Sequence, residues 1–257
     1  MNIEQHLIAY NTIVVKEVSR FTRIWIQTVL PPAVSMTLYF IIFGSLIGPR
    51  IGKMGGFDYM AFISPGIIMM SIINNSYANV VSSFFGAKFQ RHIEEILIAP
   101  VPYIIILAGY ITGGIVRGLL VGFVVTIVAL FFTELHVHNY FIVFAVVFLT
   151  AMLFSLAGLL NGIFANRFDD ITIIPTFILT PLIYLGGIFY SIELLPQFWQ
   201  TVSKFNPILY MVNAFRYGML GVSDINIVTA FIIIILFILA LTGFCLFLLN
   251  RGIGIKT

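Results

Sequence analysis

Apolar residues in this chain are grouped in long stretches that charged residues rarely interrupt. Each stretch is long enough to cross about 30 Å of hydrocarbon as an α-helix, which rises about 1.5 Å per residue. The pattern therefore predicts an all-α integral membrane protein with six transmembrane helices. The predicted spans are residues 24–49, 59–87, 102–132, 140–165, 171–190 and 227–249.

Composition agrees with this pattern. Of the 257 residues, 60% are hydrophobic and 9% are charged, whereas soluble domains carry about 25% charged residues. So few charges cannot cover a surface exposed to water, and apolar side chains must therefore face lipid. The net charge of +3 is spread along the chain and does not predict nucleic-acid binding. Cys245 is the only cysteine, which excludes a disulfide or a multi-cysteine metal site within one chain.

Residues 1–25 combine an apolar face with basic residues. Lys16, Arg20 and Arg23 lie nearly opposite an apolar stripe at helical spacing, which indicates an amphipathic interfacial helix whose cations meet lipid head groups. The stripe consists of Leu7, Tyr10, Val14, Val18, Phe21 and Trp25. An ordinary basic flank to the first span is the alternative. The first 23 residues lack the continuous apolar core of a signal peptide, so we expect the N-terminus to stay in the cytoplasm.

The pattern of apolar and charged positions in residues 86–100 predicts a second amphipathic helix, which ends before Pro100. An apolar stripe is formed by Phe89, Ile93, Ile96 and Leu97, and the charged positions are Lys88, Arg91, Glu94 and Glu95. Such a helix either lies on the membrane or inserts its apolar ridge into a groove on a partner protein. The residues alone leave both readings open.

The distribution of cations favours cytoplasmic N- and C-termini, because cytoplasmic loops are usually richer in Lys and Arg. This orientation assigns eight cations to the cytoplasm: Lys16, Arg20, Arg23, Lys88, Arg91, Arg167, Arg251 and Lys256. Four would be external: Arg50, Lys53, Lys204 and Arg216. The remaining cation, Arg117, lies in the long third span, and we expect it below the bilayer midplane. Residues 191–224 are then external, and their aromatic content predicts short re-entrant helices at the outer interface.

Two further patterns concern helix packing. Glycines in the third and fourth spans predict close helix contacts within one subunit, with a dimer face as the alternative. The fifth span is predicted to be an interrupted helix, because it contains Pro175, Pro181, Gly186 and Gly187.

The sequence contains no pattern typical of catalysis or energy coupling. All ten carboxylates lie outside or at the edges of the apolar spans, which weakens the interpretation as an ion-coupled carrier. His136 and His138 lie in a predicted external turn, where solvated side chains are the default, and we expect no metal site. A phosphate-binding loop of the form Gly-x-x-x-x-Gly-Lys-Ser/Thr is missing from this sequence. Energy for uphill transport would have to enter through another polypeptide.

Three segments together resemble the membrane subunits of type 2 ABC exporters. Residues 179–190 read LTPLIYLGGIFY, followed by Leu195-Pro196 and by PILYMVNAFR at 207–216, and residues 84–100 resemble the cytoplasmic loop of that family. The resemblance covers essentially the whole chain and is greatest to small bacterial permeases. It assigns a structural role to Leu179, Leu182, Gly186, Pro196, Pro207, Tyr210 and Arg216.

The resemblance implies a single permease domain that works as a homodimer of half-transporters in the bacterial inner membrane. Two ATPase subunits would bind ATP and Mg²⁺, while this chain would bind no cofactor and would not be an enzyme. The helix within residues 86–100 becomes a coupling helix that contacts the ATPase through Lys88, Phe89, Arg91, Ile93, Glu94, Glu95 and Ile96. A stand-alone secondary carrier is the alternative function, and a membrane enzyme is a third.

The cargo expectation is an amphiphile that leaves the cytoplasm or the inner leaflet along a path between two copies. The spans offer hydrogen-bonding groups beside many Phe and Met residues, which suits an amphiphilic ligand. These groups are Tyr39, Asn74, Asn75, Tyr77, Asn79, Asn161 and Tyr184. Interhelical hydrogen bonds explain the same polar residues equally well.

Overall fold

The computed structural model describes residues 2–254, except for the side chains of residues 96 and 97. The described chain is mostly helical, which confirms the predicted class. Its α-helices are α1 (Ile3–Arg23), α2 (Trp25–Tyr39), α3 (Gly48–Ile51), α4 (Tyr59–Phe89), α5 (His92–Ile98), α6 (Tyr103–Leu130), α7 (Tyr140–Phe164), α8 (Asp170–Ile174), α9 (Thr180–Tyr184), α10 (Gln197–Lys204), α11 (Pro207–Leu220) and α12 (Ile227–Arg251).

Shorter elements join these helices. The π-helical segments Phe40–Ile47 and Pro175–Leu179 connect α2 to α3 and α8 to α9, and one 3₁₀ turn spans Ile192–Leu194. Strands β1 (Lys53–Met54) and β2 (Phe57–Asp58) form an antiparallel hairpin. Gly55 and Gly56 both adopt positive φ, as a two-residue type I′ hairpin turn requires.

Four helical segments are long and apolar enough to cross a membrane. They are Trp25–Ile51, Tyr103–Leu130, Tyr140–Phe164 and Ile227–Arg251, and they coincide with the predicted first, third, fourth and sixth spans. Helix α4 is longer, with 31 residues, but several Ser and Asn side chains reduce its mean hydropathy. These side chains are mostly buried because α4 lies at the centre of the bundle, in contact with α6, α7 and α11 and hydrogen-bonded to side chains of α1.

The predicted fifth span is helical over Asp170–Tyr184 and not over all of 171–190. A helix of this length rises about 22 Å, less than the roughly 30 Å of a hydrocarbon core. Two predicted interruptions are visible: a π-helical segment begins at Pro175, and Gly187 adopts a φ of +70° shortly after α9 ends. The chain therefore turns back early and leads into α10 and α11.

Glycines bring α6 close to its neighbours. A Cβ atom at Gly109 would lie 2.5 Å from Ile13 of α1, and one at Gly113 would lie 2.5 Å from the Cβ of Glu17. At Gly122 a Cβ would meet Ile72 of α4 at 2.6 Å. The prediction that these glycines serve packing within one subunit is confirmed.

Helix α1 packs against α6 and α4 through a face that coincides only in part with the predicted apolar stripe, of which Phe21 is a member. Ile13, Glu17 and Phe21 are buried, whereas Leu7, on the predicted apolar face, is exposed. The guanidinium of Arg20, which was expected to meet lipid head groups, also donates to the carbonyl and side-chain oxygens of Asn79 in α4, while the Arg20 side chain stays 31% exposed. The face of α1 that packs inward therefore includes charged side chains.

Candidate functional site

The residues predicted from sequence gather at opposite ends of α4. The coupling residues lie near its C-terminus, here named the α5 end and defined by residues 88–100 and 165–170. The seven residues to which the family resemblance assigns a structural role are called the signature residues. Most of them lie near the N-terminus of α4, named the α11 end and defined by residues 182–224 and the β hairpin. Helix α4 connects the two ends directly.

Helix α4 joins α5 through a tight turn at Arg91. Arg91 has a φ of +62° and is the only residue other than glycine with a positive φ in the described part of the chain. Its backbone N–H donates to the carbonyl of Lys88, and the N–H of Gln90 donates to the carbonyl of Gly86. Glu94 then lies in the first turn of α5, where the helix dipole favours a carboxylate. The connection between α4 and α5 is therefore short and held by backbone hydrogen bonds.

Lys88 ties the end of α4 to the end of α7. Its Nζ donates to the carbonyl oxygens of Ile163 at 2.8 Å and Ala165 at 2.7 Å. These oxygens lie where α7 ends, and a cation at a helix C-terminus is stabilised by the dipole as well as by the hydrogen bonds. Burial lowers the pKa of the Lys88 ammonium, while the charge of Asp170 opposes that shift.

The loop after α7 folds around Asp170. The Oδ2 atom of Asp170 accepts the backbone N–H groups of Asn166 at 2.8 Å and Arg167 at 2.9 Å. These hydrogen bonds stabilise the ionised carboxylate and lower the pKa of Asp170, with smaller contributions in the same direction from the charges of Arg167 and Lys88. The loop is thus ordered by its own backbone donors.

Three aromatic rings hold this loop against α4. The ring of Phe168 lies 5.0 Å from that of Phe85 and 4.8 Å from that of Phe89, both edge-to-face. Such pairs contribute about 0.5–1.5 kcal/mol each beyond the area that they bury. Phe89 and Phe168 nevertheless remain 59% and 55% exposed. The α5 end therefore presents apolar surface that no described residue of this chain covers.

The predicted coupling residues differ in their exposure. Ile93 is 1% exposed and packs in the core, so the expectation that it enters a groove on a partner is wrong. The tight turn at Arg91 explains this, because it rotates α5 until Ile93 faces α4. Arg91, Glu94 and Glu95 are exposed as predicted. The side chain of Ile96 lies outside the described residues.

Sequence reasoning missed two exposed apolar residues at the same end. Ile98, the last residue of α5, is 84% exposed, and Phe168 lies in the loop after α7. An aromatic residue in the otherwise charged turn Arg167-Phe168-Asp169-Asp170 was the available signal. A cleft of about 220 Å³ separates α5 from this loop, lined by Phe85, Lys88, Phe89, Arg91, Ile93, Glu94 and Asn166.

At the α11 end, Arg216 is buried among three segments. Its Nη2 donates to the carbonyl of Gly187 at 2.6 Å, and its Nε donates to the carbonyl of Phe62 in α4 at 3.4 Å. The guanidinium also lies 3.9 Å above the ring of Phe62, a cation–π distance. Arg216 therefore ties α11 to α4 and to the turn that follows α9.

The other signature residues support the same junction. Asn206 caps α11, whose first residue is Pro207, and its Nδ2 donates to the carbonyl of Leu182 at 2.6 Å. Tyr210 donates from its hydroxyl to the carbonyl of Lys204 at 2.7 Å. A Cβ at Gly186 would lie 2.7 Å from Ile208, so glycine permits this close approach. Two signature residues lie at the margins: Leu179 is buried in the π-helical segment, and exposed Pro196 precedes α10.

A cavity of about 510 Å³ opens beside Arg216. Lys53, Glu193 and Asp224 also line it, so both signs of charge are present. Asp224 accepts the backbone N–H of Ile192 at 3.0 Å and thereby fixes the loop before α10.

Most of the polar residues that the sequence offered for a cargo make hydrogen bonds within the chain. Asn161 donates to the Tyr77 hydroxyl at 2.7 Å, and the hydroxyls of Tyr39 and Tyr184 lie 3.2 Å apart. Asn75 donates to the carbonyl of Ser71 in its own helix. Interhelical and local hydrogen bonds thus account for these positions.

Comparison with known proteins gives concordant matches. A family model described as "ABC-2 type transporter" matches residues 9–220. The inner membrane transport permease YadH of Escherichia coli (strain K12) is 59% identical over 250 residues, which covers 97% of this chain and 98% of that protein. Nodulation protein J of Rhizobium leguminosarum bv. trifolii is 24% identical over 185 residues, covering 72% of this chain and 71% of that protein.

Proposed function

Because the chain belongs to the ABC-2 type transporter family, we propose that it is the membrane-spanning subunit of an ATP-driven exporter. Two copies of the chain form the permease, and two copies of a separate ATPase bind ATP and Mg²⁺ and hydrolyse the ATP. The name of YadH, an inner membrane transport permease, supports placement in the bacterial inner membrane. The sequence itself carries no phosphate-binding loop, so ATP hydrolysis is assigned to the partner.

The exposed surface at the α5 end is the observation that carries this proposal. Phe89, Ile98 and Phe168 supply apolar contacts, and Arg91, Glu94 and Glu95 surround them with charge. A partly apolar patch with a charged rim is the composition of a protein docking site. We place the ATPase there.

Coupling follows from how this surface is attached. The turn at Arg91 joins α5 to α4 without a flexible loop, and Lys88 joins the same point to the end of α7. Movement of the ATPase is therefore transmitted to the central helix α4 and to α7 together. Helix α4 carries the displacement to the α11 end, where Arg216 links it to α11.

For the membrane topology, we propose six crossings with both termini in the cytoplasm. The four apolar helices, α4 and the segment that begins with Asp170–Tyr184 supply these crossings. The α5 end is cytoplasmic, and α10 and α11 lie in the outer interface as re-entrant helices. The excess of Lys and Arg on the α5 side supports this orientation.

For the cargo, we propose an amphiphile that moves out of the cytoplasm or the inner leaflet. A groove of about 390 Å³ between α4, α6, α7 and α11 has walls formed almost entirely by apolar side chains, among them Ile68, Phe123 and Phe215. Such walls suit an acyl chain or a hydrophobic small molecule and would disfavour an ionised solute.

Reconstitution tests the proposed function. The tagged chain is purified with its copurifying ATPase, and both the chain alone and the complex are placed in liposomes. We expect ATP-dependent export by the complex and hydrolysis that is stimulated by lipids, glycolipids or hydrophobic drugs. Transport by the chain alone, driven by an ion gradient, would instead establish a stand-alone carrier. Stimulation restricted to small hydrophilic solutes would exclude the amphiphile class.

A further inference from the structure

A group of charged side chains is enclosed where α1 crosses α4 and α6. Glu17 of α1 is completely buried, and its Oε1 accepts the Ser83 hydroxyl at 2.6 Å. Arg20 lies one turn later, with its Nη2 3.6 Å from the Oε2 of Glu17 and 2.8 Å from the Oδ1 of Asn79. The described residues contain no other ion pair.

Arg117 of α6 faces the same crossing. It follows Gly113 by one helical turn, and a Cβ at Gly113 would meet Glu17, so Arg117 lies on the face of α6 that receives α1. Tyr110 lies on that face too, and the Nζ of Lys16 is 5.7 Å above its ring. We name Lys16, Glu17, Arg20 and Arg117 the α1–α6 charge cluster.

Several buried donors at this crossing have no acceptor among the described residues. They are the Nε atoms of Arg20 and Arg117, the Nδ2 of Asn79 and the hydroxyl of Tyr110. Asn79 and Tyr110 are both completely buried. Buried donors without a partner are rare because each has given up its hydrogen bonds to water without replacement. One buried acceptor at this crossing, the Oε2 of Glu17, also lacks a hydrogen bond, and four donors against this one acceptor point to a ligand that accepts hydrogen bonds.

The net charge of the α1–α6 charge cluster also favours an anionic ligand. Three cations face one carboxylate, so the cluster carries two uncompensated positive charges. Arg117 lies near the middle of α6, inside a candidate membrane span, where an unpaired cation is costly. Lys16 is exposed and Arg20 is partly exposed, so the cluster opens to the surface beside α1.

From these observations we infer that the α1–α6 charge cluster binds the phosphate of an anionic phospholipid from the inner leaflet. Guanidinium groups match phosphate oxygens with paired hydrogen bonds, and the buried donors complete the site. The inference rests on the proposed topology, which places α1 at the cytoplasmic interface where such head groups are available. The bound lipid would fasten α1 to the bundle.

Lipid retention tests this site without the ATPase. The chain is purified in detergent with phosphatidylglycerol or phosphatidylcholine, and retained lipid is counted by native mass spectrometry. We expect phosphatidylglycerol to be retained, and Arg117→Gln to weaken its retention about tenfold, as expected for loss of a charge-assisted hydrogen bond. The control, Arg23→Gln, removes the same charge from the exposed end of α1 and should change retention less than about twofold.

Equal retention of the two lipids, or full retention by Arg117→Gln, would overturn the site. Inorganic phosphate that displaces the lipid and stabilises the chain equally would overturn its assignment to a phospholipid. Thermal unfolding of the unmodified chain supplies a readout that does not depend on folding of the variants. Its midpoint should rise with phosphatidylglycerol and not with phosphatidylcholine. A negative result in these lipid tests would not argue against ATP-driven transport. If reconstituted transport failed, lipid retention could still be measured on the chain alone.

Discussion

Replacing Lys88 by methionine tests how the α5 end is held together. The substitution keeps most of the apolar stem but removes the ammonium, and with it the hydrogen bonds at 2.8 Å to Ile163 and 2.7 Å to Ala165. A hydrogen bond to a charged group contributes about 1.5–3 kcal/mol when buried. Water can replace part of this at a half-buried site, so we expect a net loss of about 1.5 kcal/mol for the pair. That loss corresponds to a roughly tenfold increase in local opening.

Hydrogen exchange of the backbone amides in residues 163–170 measures this opening directly. We expect faster exchange there in Lys88→Met, with little change in α11, which packs near the opposite end of α4 through Arg216 and Phe62. Lys88→Arg keeps the charge and the donors and should retain most of the protection. Unchanged exchange in Lys88→Met would refute the role assigned to these two hydrogen bonds.

Three further substitutions probe other parts of the account. Gly113→Ala should destabilise the chain by about 1–3 kcal/mol in thermal unfolding, because its Cβ overlaps α1, whereas Gly243→Ala, with open space around it, should be neutral or stabilising. Arg216→Lys should lower the free energy of unfolding by about 2 kcal/mol, because it removes the guanidinium that stacks on Phe62. Lys53→Gln, at a residue that lines the same cavity, should change the free energy of unfolding by less than about 0.5 kcal/mol. Because its folded-state pKa is lowered, Asp170 stabilises its loop above the ordinary aspartate pKa. Protection of the backbone amides of this loop from hydrogen exchange should fall as the pH drops through the folded-state pKa of Asp170. The Asp170→Asn variant should lack this pH dependence.

Much of the helical framework was predictable because it follows from hydropathy and helix length. Proline and glycine predicted the break near Gly186. The prediction of a single helix over residues 86–100 was wrong, because the turn at Arg91 divides those residues between the end of α4 and α5. Periodicity does not say which way a helix is rotated about its axis. Ile93 therefore looked like an exposed contact, whereas the left-handed turn at Arg91 directs it into the core.

Long-range contacts were beyond the sequence pattern. Glu17 and Arg20 read as polar residues of an interfacial helix, because nothing local indicates that Asn79 and Ser83 of α4 would approach them. Phe168 was overlooked because one aromatic residue in a charged turn has no periodic signal. Burial of a charge depends on which helices meet, and that is decided by packing rather than by local spacing.

Binding of the ATPase at the α5 end is the central claim, and Ile98→Asp tests it most directly. Ile98 is 84% exposed, so the substitution introduces charge without disturbing the core. Phe205→Asp, at a residue 83% exposed at the α11 end, is the matched control. The measurement is the affinity of each purified variant for the ATPase that copurifies with the unmodified chain. We expect Ile98→Asp to weaken binding at least about tenfold and Phe205→Asp to leave it unchanged; undiminished affinity in Ile98→Asp would contradict the account.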